Sequence, residues 1–139
     1  MAFWLFNVVP TDVPPFGARE RAVELLEARM WDIGADEPHR DALSAGDLVL
    51  IYLAAPARIF IARAELASSV RPLMPDQPEP VPPSRRYGVL LGQVDWWDPP
   101  VAMDAVLARI DPANKAKADF DHGVVGITRD EFEAAASSR

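Results

Sequence analysis

Four tryptophans, two histidines, fourteen basic residues and no cysteine are the chemical means available to this chain of 139 residues. The missing thiols exclude a disulfide framework, thiolate metal sites and cysteine nucleophiles. A histidine-based metal site would need His39 and His122 to converge with carboxylates such as Asp119 or Asp121, and their spacing imposes no such convergence. The chain has no HExxH pair, no GxSxG elbow and no glycine-rich phosphate loop, so Ser44, Ser68 and Ser69 lack a nucleophile's setting. No catalytic residue, metal or cofactor is expected, and a hydrolase is the least favoured class.

The aromatic residues carry more information. Trp31 stands where an apolar periodic stretch gives way to a polar one, and Trp96 and Trp97 are adjacent, so in a strand they point to opposite faces. A tryptophan at a cavity edge presents a flat surface suited to a planar base or a cation. Basic residues near these positions are Arg40, Arg58, Arg63, Arg85 and Arg86. Under strict alternation Arg63 has the parity of Ile59 and Ile61, which places it at a strand end or in a polar interior. Arg85-Arg86-Tyr87 reads either as a phosphate-contacting rim or as ordinary loop solubility.

The formal charge of -7 argues against tight, backbone-driven binding to long nucleic acid, which needs many cationic contacts. It leaves room for a pocket that reads one base with a local basic rim. The opening MAFWLFNVVP has no basic leader region, and the later apolar run from Leu48 to Ala57 is too short to span a bilayer. A soluble, cytoplasmic protein with no membrane partner is expected, folded as one domain over residues 1–139.

Hydrophobic spacing assigns the elements that must position these groups. Phe3–Val9, aromatic and β-branched and closed by Pro10, predicts a buried strand. Gly17–Met30 predicts an amphipathic helix with Val23, Leu26 and Met30 on one face, Leu25 on its flank and charged residues elsewhere. Trp31–Ser44 is polar and reads as irregular. Leu48–Leu53 and Arg58–Leu66 predict an antiparallel hairpin. The stretch from Val70 to Arg86 holds six of the 14 prolines and reads as a loop. Gly88–Trp97 predicts a strand stopped by Asp98-Pro99-Pro100, and Val101–Ile110 a short helix. Thr128–Ala136 predicts a helix opened by a Thr128/Glu131 capping box. Locally paired strands with helices at ends and crossovers give an α/β (α+β) class: a small mixed barrel or strongly bent sheet.

Several stretches, in order along the chain, resemble the EVE domain, a PUA-like family related to YTH and ASCH domains. Phe3-Trp4-Leu5-Phe6 with Pro10 is similar to its first strand, and Trp31-Asp32-Ile33-Gly34 followed by His39-Arg40 to its tryptophan-led loop. Leu43-Ser44-Ala45-Gly46-Asp47 running into Leu48–Tyr52 resembles its leucine, Gly-Asp, strand, tyrosine signature, and Ile59–Glu65 its following strand. Phe120–Phe132 resembles its closing glycine-containing turn and helix.

The resemblance implies a bent mixed β-barrel flanked by helices, with a pocket between the barrel mouth and the Trp31 loop. It implies a reader of a modified DNA or RNA base, held by stacking on Trp31 and by edge hydrogen bonds from Asn7, whose amide both donates and accepts. His39 and Arg40 close that site, Trp4, Arg63 and Gly123 belong to the same binding set, and Arg85 and Arg86 form its nucleic-acid rim. The chain departs from the family where a Lys-Ser-Glu-Pro pattern is replaced by Asn7-Val8-Val9-Pro10, and where the loop after Trp31 turns acidic. Both departures, with the net charge, keep a second expectation open: a small planar ligand bound without nucleic acid.

Overall fold

A computed structural model describes residues 1–8, 17–33, 40–54, 57–72, 87–102 and 124–137. The first strand, β1 (Phe3–Val8), pairs in parallel with β3 (Leu48–Leu53) and antiparallel with β7 (Val124–Ile127). β3 forms the expected antiparallel hairpin with β4 (Ile59–Leu66), which pairs in turn with the long β6 (Tyr87–Ala102). A short strand, β2 (Met30–Asp32), closes the other side of β6. The sheet order is β2-β6-β4-β3-β1-β7, with the two-residue β5 (Arg71–Pro72) also on β6. Helices α1 (Ala18–Glu27) and α2 (Arg129–Ser137) complete this α+β architecture of a bent sheet, as expected from the sequence. No helix among the described residues is long and apolar enough to cross a membrane.

Strand alternation sorts the side chains onto two faces, each with its own core. Trp4, Phe6 and Val8 of β1 join Val49, Ile51 and Leu53 of β3 on the face packed by α1 and β2. Leu5, Leu50, Tyr52 and Phe60 lie on the opposite face, covered by Phe132 and Ala135 of α2. Burying a side chain as completely as Phe6 or Leu26 contributes ~1.5–3 kcal/mol.

The structure corrects four details of the sequence reading. The first helix ends at Glu27, not Met30, because Arg29 takes a positive φ of 58° and Met30 enters β2. Its buried stripe is Ala18, Ala22, Leu25 and Leu26, rotated from the expected one, so the small alanines are what let α1 approach the sheet. Trp31 and Asp32 are strand, not loop, and Val101 and Ala102 extend β6 through Pro99 and Pro100, where a stop and then a helix were expected. Among the described residues β6 beyond Gly92 is bonded on one side only, and prolines, lacking an N–H, are tolerated on such an edge. Residues 103–110 of the expected helix and 73–86 of the proline-rich stretch lie outside the described residues.

The second helix keeps its expected start. The Thr128 amide donates to Glu131 Oε1 at 2.7 Å, and the Glu131 amide donates to Thr128 Oγ1 at 3.1 Å, satisfying two otherwise unbonded N–H groups.

Candidate ligand-binding site

Asp47 explains why the Gly-Asp element begins β3. Its carboxylate is 4 % exposed and acts only as an acceptor. Oδ1 accepts from the Ala2 amide at 3.0 Å, and Oδ2 from the Trp4 indole Nε1 at 2.9 Å and the Ser44 amide at 3.1 Å. Gly46, at a φ of +93° that side-chain-bearing residues rarely adopt, makes the turn that delivers this carboxylate. Trp4, 7 % exposed with its N–H committed to Asp47, is therefore a structural member of the first core. That corrects its expected place in the binding set.

Trp31 is also enclosed. Its ring is 5 % exposed and stacks on Phe6, centroids 5.4 Å apart at 26°, while its strand neighbour is the buried Val89. A ligand stacking on Trp31 would first have to uncover it. Asn7, half-buried, has Tyr52 as its strand partner on the α2 side, so the sheet separates Asn7 from Trp31.

Arg63 joins the Asn7 face as well. A β-bulge between Phe60 and Ala62 shifts the alternation by one, which reverses the parity expected with Ile61. The Arg63 side chain pairs with Asp95 at 3.4 Å and lies 5.8 Å from the Phe132 ring centroid, tying β4 and β6 to α2. Both partners of the ion pair are more than a third exposed, so its energetic worth is small.

What does converge with the Trp31 strand is Arg40. It begins a short 3-10 turn, Arg40–Ala42, and its guanidinium carbon sits 5.2 Å from the ring centroid of Tyr87. Alternation along β6 places Tyr87 on the face of Val89 and Leu91, the face on which Trp31 packs. The Ile33 amide donates to the Tyr87 carbonyl at 2.8 Å, fastening the segment after Trp31 to the start of β6. Arg71 stands on the neighbouring β5, whose Pro72 is the strand partner of Tyr87. His39, Arg85, Arg86 and Gly123 lie outside the described residues; in the chain, His39 directly precedes Arg40 and Arg86 directly precedes Tyr87.

Tyr87 had entered the sequence reading only as the third residue of a basic tripeptide. The signal was an aromatic at the first position of a strand, directly after two arginines. Among the described residues no group of three or more His, Asp or Glu side chains is arranged to hold a metal. Two surface hollows, one over Arg19, Glu20, Val23, Glu24 and Glu27 and one over Asp130, Glu133, Ala134, Ala136 and Ser137, touch none of these candidate side chains.

No protein-family model and no curated protein matches the chain. Solved structures do. A Pseudomonas syringae protein aligns with a TM-score of 0.68 at 14% identity, over 98% of each chain. A Rhodopseudomonas palustris protein solved by NMR aligns at 0.64 and 18% identity, over 99% of this chain and 92% of that one. The ASCH protein of Zymomonas mobilis aligns at 0.62 and 12% identity, over 98% and 94%. The fold is PUA-like. At such identities the likeness shows this architecture alone.

Proposed function

We propose that this PUA-like domain is a binding module for a nucleobase, carried and modified in DNA or RNA, rather than an enzyme. The observation that carries the reading is the corner where Arg40 lies over Tyr87, directly against the strand that holds Trp31. There a planar aromatic and a planar cation meet at the rim of an apolar interior, the pairing suited to a flat, anion-bearing ligand.

Charge supports the location. In a chain of net charge -7, Arg40 and Arg71 stand together, and the Arg85-Arg86 pair joins the chain at Tyr87. A local cationic corner in an acidic protein draws a phosphate to one place and repels it elsewhere. The EVE-type assignment within the PUA-like fold belongs to this proposal. It rests on the ordered motifs around Trp31, Gly46-Asp47 and Thr128, two of which have clear structural roles here.

The net charge favours one second reading, a free planar ligand bound at the same corner without a strand. The test is a titration with short single- and double-stranded DNA and RNA, unmodified or carrying methylated or hydroxymethylated bases, beside free nucleobases, at low and physiological salt. Oligomer binding that depends on the modification and is lost in Arg40→Ala supports the reader. Binding of free bases alone supports the second reading. Silence from every oligomer and base at high micromolar concentration refutes both.

A further inference from the structure

We propose that Tyr87, not a tryptophan, supplies the surface on which the ligand stacks, and that Arg40 holds that surface until a nucleotide displaces it. This rests on the nucleobase reading above and names the groups that would recognise the base and its phosphate.

Three observations lead here. Trp4 and Trp31 are both enclosed, one tied to Asp47 and the other stacked on Phe6, so neither offers an open ring at this corner. Tyr87 is half-buried, and its backbone is fixed from both sides, by the Ile33 amide on one and by register with Pro72 on the other. A ring presented from a strand held this way is already in place before a ligand arrives. Finally, the Tyr87 ring is engaged by a guanidinium, a flat delocalised cation that stacks much as a base does.

The exchange is chemically favourable in both halves. Stacking of a base on an aromatic ring is stronger than a solvent-exposed cation–π contact, so a base can take the ring from Arg40. The released guanidinium has a fork of donors matched to phosphate oxygens and stays beside the ligand that displaced it. Arg71, exposed on the next strand, is placed to meet a second phosphate, so a strand should be held better than a lone nucleotide.

The experiment measures fluorescence anisotropy of the full chain with a labelled single-stranded oligomer, with competition by a nucleoside, its monophosphate and an unlabelled oligomer. Tyr87→Phe keeps the ring and should bind within about 2-fold of the parent. Tyr87→Ala should lose about 10-fold or more, the range expected for one stacked base. Arg40→Ala should weaken the monophosphate and the oligomer but not the nucleoside, and Arg71→Ala should weaken the oligomer alone. Melting curves check folding, and Tyr87→Leu, which keeps bulk without a π face, decides if Tyr87→Ala does not fold. Parent-like binding by the alanine and leucine variants overturns the assignment of Tyr87 while leaving the nucleobase reading intact. Equal loss in Tyr87→Phe overturns stacking in favour of a hydroxyl contact. A parent protein that binds none of the ligands overturns the nucleobase reading and this inference with it.

Discussion

Replacing Asp47 tests the joint that holds the first strand to the turn before the third. Asp47→Ala removes the acceptor from three N–H groups: the Trp4 indole, the Ser44 amide and the Ala2 amide. The bond to Trp4 is fully buried, so that donor is left stranded at a cost of ~1–3 kcal/mol. The other two are only partly buried and regain water, each losing ~0.5–1.5 kcal/mol. The sum is about 3–4 kcal/mol, which at an ordinary urea dependence lowers the midpoint by roughly 1–3 M. Asp47→Asn should cost less, about 1–2 kcal/mol. Its carbonyl can occupy the Oδ2 position and keep Trp4 and Ser44, leaving its NH2 opposed to the partly buried Ala2 amide. Urea unfolding followed by far-UV circular dichroism should therefore rank parent, Asn and Ala in that order. In a double-mutant cycle with Trp4→Phe the two sites should couple by at least ~1 kcal/mol. An Asp47→Ala cost below ~1 kcal/mol, or no coupling to Trp4, would refute the joint.

Three further outcomes follow from the same geometry. Gly46→Ala should destabilise by ~1 kcal/mol through its positive φ alone, since a Cβ there meets no atom within 4 Å; a neutral result by thermal melting counts against the turn. Trp96, 45 % exposed where Trp4, Trp31 and Trp97 are buried, should account for nearly all acrylamide quenching, and Trp96→Phe should abolish that component. Thr128→Ala should cost about 1 kcal/mol in urea unfolding, whereas Glu131→Gln should keep the cap, because glutamine also serves that position.

The parts of the fold that were legible in the sequence are those where one strong local signal met no competing one. β1, β3 and β4 show apolar runs closed by turn residues, and Thr128 and Glu131 make the cap their spacing predicts. Where the reading failed, a longer-range fact prevailed. Three residues of β2 are too few to show a period of two, so Trp31 looked like loop until its pairing with β6 was known. Pro99 and Pro100 looked like a stop because sequence does not say which strand lies at an edge. The bulge near Ile61 reversed the parity of Arg63, which local spacing does not announce. The candidate site suffered most: two tryptophans chosen for their flat rings are enclosed by partners distant in sequence, Asp47 and Phe6, while Arg40 and Tyr87 meet across 47 positions.

The position of β1 has a consequence for how the chain is made. It is the first strand to leave the ribosome yet lies inside the sheet, with Phe3 paired to Leu48 on one side and Ile127 on the other. At ~5–20 residues per second, its second neighbour follows some 120 residues and roughly 6–25 s later. The β3–β4 hairpin, by contrast, has both halves within 20 residues and can pair as soon as it emerges. During that interval Phe3-Trp4-Leu5-Phe6 is an aromatic strand with one side unmatched, the kind of segment that cellular holding factors bind. A slow codon stretch before β7 would prolong that exposure, and a faster one would shorten it, without changing a single contact in the finished molecule.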